Sequence, residues 1–123
     1  MSEMKEKGNI PAAEAISRGQ VVYIDSNGEL NSTNDATTNL PYGVAQRTIA
    51  SGSKGGAAIE GIGKCLVSGA VSNGEYLVPA DNGHAVAAGN ARKYVFARCL
   101  EDKAEGAADL IEVQIFPAFS GSV

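Results

Sequence analysis

The chain has 123 residues, a formal net charge of −4, two cysteines and no tryptophan. That length suits one domain, and the acidic balance, with no Lys/Arg cluster anywhere, argues against a nucleic-acid partner, whose phosphates demand a basic face. No run approaches the ~18 apolar residues of a membrane span and the N-terminus lacks a signal-peptide apolar segment, so a cytoplasm-like compartment of synthesis and no membrane partner are expected.

Met1–Gly8 is polar and charged and carries nothing that could form a core. Pro11 then removes a backbone donor and favours an extended path, so residues 1–12 are expected as an extended N-terminal arm. Gln20–Ile24, with Val21, Val22, Tyr23 and Ile24 together, reads as the first strand, and Asn27-Gly28 as a tight turn, since a type I′ hairpin turn needs positive φ at both central residues. Asn31–Asn39 is a polar loop. A strand begins at Pro41 and runs to about Ile49, Ser51–Gly56 is a turn, and Ala57–Val67 is a long strand or a bent pair. Further along, Glu75–Val78 and Tyr94–Leu100 read as strands and Glu101–Ala108 as a charged turn. Leu110–Phe116 alternates most cleanly, with Ile111, Val113 and Ile115 on one face and Glu112 and Gln114 on the other. No segment sustains a helical period; Ala12–Ser17 and Ala104–Asp109 offer a single turn each.

The chain also repeats itself. Ala15–Leu30 falls on Ala70–Ala85 without a gap, so that Gly19 meets Gly74 and Asn27-Gly28 meets Asn82-Gly83, a constant offset of 55. Tyr42-Gly43-Val44-Ala45 then answers Tyr94-Val95-Phe96-Ala97 at an offset of 52, and the same offset sets Ile59-Glu60 on Ile111-Glu112 and Gly61 and Gly63 on Val113 and Ile115. Two copies are too few for a solenoid, which needs about three or more units. The expected fold is therefore all-β, a small pseudo-two-fold β-barrel or sandwich from an internal duplication. Its single domain covers residues 13–119, with copy one about 15–67 and copy two about 70–117, and residues 120–123 form a C-terminal tail.

Templates for chemistry fail in turn. Ser51-Gly52-Ser53-Lys54-Gly55-Gly56 lacks the spacing and the helix of a phosphate-binding loop, and Gly61-Ile62-Gly63 lacks the third glycine of a dinucleotide fingerprint. Asp25–Glu29 starts like a calcium loop, but Leu30 stands where its glycine is required. His84, the only histidine, follows a turn, and Cys65 and Cys99 occupy non-equivalent repeat positions, which leaves no Cys/His metal set and no nucleophile with a base. The thiols are expected buried and reduced. No catalytic, cofactor-binding or metal-binding residue is assigned; the protein is read as no enzyme and as needing no cofactor.

The repeated pattern resembles a known family. Ala15, Gly19, Val22, Tyr23 and Asp25, then Tyr42-Gly43-Val44-Ala45, Ile59-Glu60-Gly61-Ile62-Gly63, Gly74-x-x-Leu77-Val78 and Ile111–Ile115, are similar to the small phage head-decoration, or capsid cement, proteins built from two β repeats. Copy two departs from copy one at Pro79 (against Ile24) and Val95 (against Gly43). The resemblance implies a protein on the outer surface of a capsid in the virion, made in the host cytoplasm. Its partner would be the major capsid protein, bridged and stabilised by a homo-oligomer, with a trimer favoured over a dimer. On the residues, the partner-binding candidates are Met4, Ile10, Pro11 and Ala12 of the arm, which could add a strand to an exposed sheet edge, and the aromatic pair Phe116 and Phe119. The alternative is a carbohydrate-binding or adhesin-type module of a tail fibre or host-attachment structure. Such modules stack sugars on Trp or Tyr platforms, for which this chain has no Trp and four Tyr.

Overall fold

Short apolar runs separated by glycine-bearing turns leave no stretch long enough for a helical stripe, and the chain folds as strands. The computed structural model describes residues 4–35, 39–89 and 93–121, with the backbone alone for Lys93 and residues 119–121. Its strands are β1 (Lys5–Pro11), β2 (Val21–Ile24), β3 (Leu30–Ser32), β4 (Gly43–Val44), β5 (Lys54–Val67), β6 (Tyr76–Pro79), β7 (Ala85–Ala87), β8 (Lys93–Cys99) and β9 (Asp109–Gly121). The only helical element among the described residues is a 3-10 turn at Asp81–Gly83. The all-β expectation is met.

The strands form two rings that share β5. In the second ring β5 pairs with β7, β7 with β6, β6 with β8, β8 with β9, and β9 returns to β5 over Gly61–Val67, which closes a five-stranded barrel. In the first ring β1 pairs with the Lys54–Glu60 half of β5, β5 with β4, β4 with β2, and β2 with β3. A parallel bridge from Leu30 of β3 to Ala12, one residue past β1, completes the circuit. Residues 5–11 are thus a strand of the body's own sheet and not an arm standing free of it. The first half of the strand is exposed throughout and charged (Lys5, Glu6, Lys7), which hid it, while Ile10 is half-buried and Ala12 is only 1% exposed. Glu6 meets Arg47 at 3.0 Å across the surface, a contact that contributes little when solvated.

The backbone pairings of one ring reappear in the other. Ala12↔Leu30 corresponds to Val67↔Ala85, both parallel, and Ile24↔Leu30 to Pro79↔Ala85. Val21↔Val44 corresponds to Tyr76↔Arg98, Val44↔Ala58 to Arg98↔Gln114, and Ile10↔Gly55 to Cys65↔Ile111. These ladders keep the offset of 55 for the first three strands of each ring. They assign 54 to β4 against β8 and 56 to the first half of β5 against β9, in place of the expected 52. The expected alignment slips by two and by four residues, and an even slip leaves every side chain on its own face of the strand, so apolar pattern alone does not detect it. Gly61 and Gly63 accordingly lie opposite Ile115 and Val113 in one ladder, as neighbours and not as equivalents.

The cores match as the ladders do. Ala12, Ile16, Val22, Leu30, Ala45 and Ala57 fill the first ring; Val67, Val71, Leu77, Ala85, Cys99 and Val113 hold the corresponding places in the second. Across the shared bridge position, Ala12 with Leu30 becomes Val67 with Ala85: the large and small residues exchange sides, which conserves the packed volume. Val21, Val44 and Ala58 extend the second core into the first ring.

Three further expectations change. The polar loop gives up Asn31 and Ser32 to β3, where they are half-buried. The strand expected to Ile49 stops at Val44, because Gln46 turns its amide onto the carbonyls of Val44 and Lys64 at 3.2 and 3.0 Å. The tail is strand as far as Gly121. Only the second Asn-Gly pair makes a type I′ turn, with φ of 60° at Asn82 and 70° at Gly83. At the first, Gly28 alone has positive φ, and the Asp25 carboxylate takes the amides of Asn27 and Glu29 at 2.9 and 3.0 Å, which favours a longer turn closed by glycine.

Candidate docking surface

The two rings differ at the start of β4 and β8. In the second ring β8 runs from Lys93, and β9 continues past its bend so that Val95, Tyr94 and Lys93 pair with Phe119, Ser120 and Gly121. The matching stretch of the first ring is Asn39–Pro41, by the offset of 54. Here β5 has already left for the second ring, and β4 holds two residues only. Tyr42 is tied to β2 by its amide on Val22 O at 2.8 Å, but Asn39, Leu40 and Pro41 have no ladder partner among the described residues.

A cleft of about 680 Å³ opens at this place. One wall is Tyr23–Ser26, another is Leu40–Tyr42, Ile59 forms the floor, and Pro117 and Ala118 of β9 close the far side. Leu40 is 56% exposed and Ile24 42%, the largest exposures of large aliphatic side chains among the described residues. Among the described residues Asp25 is the one carboxylate on the walls, and it accepts from the turn amides and from Asn31 Nδ2. The cleft is therefore apolar, and its chemistry is that of a binding surface.

A second exposed row crosses the other ring. Tyr76, Arg98, Gln114 and Ile62 are successive neighbours across β6, β8, β9 and β5, and all four point outward. Tyr76 stands edge-on to Phe116, with ring centroids 6.3 Å apart. Tyrosine, arginine and large aliphatics are the residues in which interface energy concentrates.

The groups that could do covalent chemistry are held apart from both surfaces. Cys65 and Cys99 are free and buried in the second core. Burial, then the neighbouring Cys99, pushes the Cys65 thiol far up; burial, then Glu75 and Glu101, pushes Cys99 to about 11. Both are thus neutral thiols, poor nucleophiles at neutral pH. Among the described residues no three His, Cys, Asp or Glu side chains gather as a metal site.

Comparison with solved structures places this architecture. The chain is similar to the base of a phage head fibre. The likeness is to the crystal structure of the head fiber gp8.5 N base in bacteriophage phi29, with a TM-score of 0.71 and 16% identity, over 94% of this chain and 97% of that one. At that identity the fold is what is shared. No protein-family model matches the sequence, and no curated relative does.

The residues expected to bind a partner are scattered over this fold. Ala12 is core, and Ile10 and Pro11 are half-buried where β1 meets the first ring. Met4 is 39% exposed, with its Sδ lying over Gly63 beside the Gln46 amide. Phe116 is half-buried on Val78, Val95 and Ala88. The Phe119 side chain lies outside the described residues; its backbone pairs with Val95. The cleft residues Ile24, Leu40, Pro41 and Ile59 were missed. Leu40 did carry a signal, as the single large apolar residue in the polar stretch that precedes Pro41.

Proposed function

We propose that this protein is a structural component of a phage head, seated on the outer surface of the shell and made to hold coat subunits together. The observation that carries the reading is the shared fold, matched over nearly the whole of both chains, with a protein whose name places it in a phage head fibre. The apolar cleft and the Tyr76–Ile62 row support it, since they give the body two separate surfaces of interface composition. So do the neutral, buried thiols, which are unsuited to nucleophilic work.

The mechanism is linkage. A ligand that binds the closed shell and not the opened one stabilises the closed state by its binding free energy. Many copies, arranged as trimers at local symmetry points, turn a modest affinity per site into a large total through avidity. The corresponding hydrogen-bond ladders of the two rings support an origin by duplication of a unit of one ring, a short route to a body with two faces.

Co-sedimentation with expanded empty shells is the direct test. The expected result is saturable binding to the shell exterior and a higher temperature of shell disruption on binding. Protein left in the supernatant at every concentration would overturn the reading.

A further inference from the structure

The rings meet each other through a face that only the first has covered. In the first ring Val22, Ala45 and Ala57 belong to its own core, so their chain neighbours Val21, Val44 and Ala58 point outward. All three are nonetheless fully buried, packed with the core of the second ring. The ladders set Tyr76, Arg98 and Gln114 at the corresponding places of the second ring, with Ile62 beside Gln114 as Glu6 is beside Ala58. There the whole row is exposed. One face, twice built, is buried in the first ring and meets solvent in the second.

We propose that the Tyr76–Arg98–Gln114–Ile62 row receives the first ring of a second copy, so that copies associate head to tail. The side chains suit a contact between separate molecules. The permanent joint inside the chain buries Val, Val and Ala, whereas a face that is also wetted carries Tyr, Arg, Gln and Ile, which keep it soluble and include the usual anchors of interfaces. The receiving surface follows from the joint within the chain. There Leu66 N donates to Gly19 O at 2.8 Å, and a methyl at Gly19 would strike Leu110. Gln20 Nε2 donates to Asn82 O at 2.8 Å, and the Gln46 amide brackets the backbone of Lys64 at 3.0 and 3.2 Å. Pro11 and Lys54 pair in the first ring as Leu66 and Leu110 do in the second, and Asn27 and Asn9 stand for Asn82 and Lys64. Asn9, Asn27 and Lys54 are exposed and Pro11 is half-buried. Charge agrees with this docking, since exposed Glu75, the equivalent of Gln20, adjoins the row on one face and Lys54 lies on the other. Pro11 lacks the N–H that Leu66 donates, so that one hydrogen bond has no counterpart. The two faces differ, which makes the contact heterologous, the kind that a closed trimer requires. It needs no shell, and so stands apart from the head function proposed above.

The test is sedimentation velocity on the intact protein over a range of concentrations. Reversible self-association is expected, weakened about tenfold or more by Arg98→Ala, which removes an anchor from the row, and by Lys54→Glu on the receiving face. Glu75→Lys should weaken it likewise, and Glu75→Lys with Lys54→Glu in one chain should recover it, since opposite charges then face each other again. Each variant is first checked for wild-type thermal unfolding. Arg98→Ala and Lys54→Glu change exposed side chains, and they decide the matter if Glu75→Lys, which loses the acceptor of the Ser72 amide, does not fold. A protein that stays monomeric up to about 1 mM would overturn the proposal. So would association indifferent to Arg98→Ala. Association weakened by Arg98→Ala but indifferent to Lys54→Glu would overturn it too, because the row would then meet the same row in an isologous contact. Self-association as expected with no co-sedimentation on shells sinks the shell reading alone. Shell binding by a protein that stays monomeric sinks the head-to-tail contact alone.

Discussion

Gly56→Ala tests whether residues 5–11 belong to the body. Gly56 lies on β5 where β1 crosses closest, and a methyl there would sit 2.8 Å from Gly8 O and closer still to Lys7 O. Both obstacles are backbone, so no side chain can swing away. Overpacking of this kind costs about 1–3 kcal/mol, against which alanine restores roughly 0.4–1 kcal/mol by restricting the unfolded chain. The net expectation is a loss of about 1–2 kcal/mol, or roughly 4–8 °C in melting temperature for a chain of this length. Thermal unfolding followed by far-UV circular dichroism reads the first number, and hydrogen exchange reads its location. Protection should fall at the amides of residues 5–10 and at Ala12–Ala13, and far less in β8 and β9. An unchanged melting temperature, or a loss spread evenly over both rings, would refute the claim that β1 closes the first ring.

Phe116→Ala removes the cover of Val78, Val95 and Ala88 and the edge contact with Tyr76. Truncating a fully buried phenylalanine costs about 3–5 kcal/mol, so this half-buried one should cost about 2 kcal/mol in denaturant titration; an unaltered midpoint would contradict the packing. Cys65 and Cys99 should resist a thiol reagent at about pH 8 while the protein is folded and react fully in denaturant. The same raised values imply an alkaline dependence. Burial favours the neutral thiol in the folded state, so that contribution is full below the unfolded value of about 9 and falls as pH rises towards the folded value of about 11. Cys99→Ala should flatten the decline over that interval, and a slope identical to the wild type would count against the cause given.

Much of the fold was legible where residues act locally. Asn82-Gly83 specifies its turn through positive φ, and Ile111, Val113 and Ile115 declare their strand by alternation. The repeat was visible at Gly19 and Gly74 because turn glycines are held in place by backbone geometry. It was misaligned further on because Ala and Val recur on every apolar face, and a slip of two preserves the face. The docking cleft was illegible for a different reason. Nothing in Ile24 or Ile59 distinguishes a cleft wall from a core residue until β5 is seen to leave one ring for the other.

Composition and punctuation by themselves determined that this chain would be all-β and turn-rich, and they carried the repeated pattern that pointed to a duplication. Tertiary structure decided which strand closes each ring, and that a charged N-terminal segment is one of them. Local propensity acts through a residue's own φ, ψ and side chain. Ring closure is made by backbone amides and carbonyls that every residue carries alike, and only their meeting in space selects the partner.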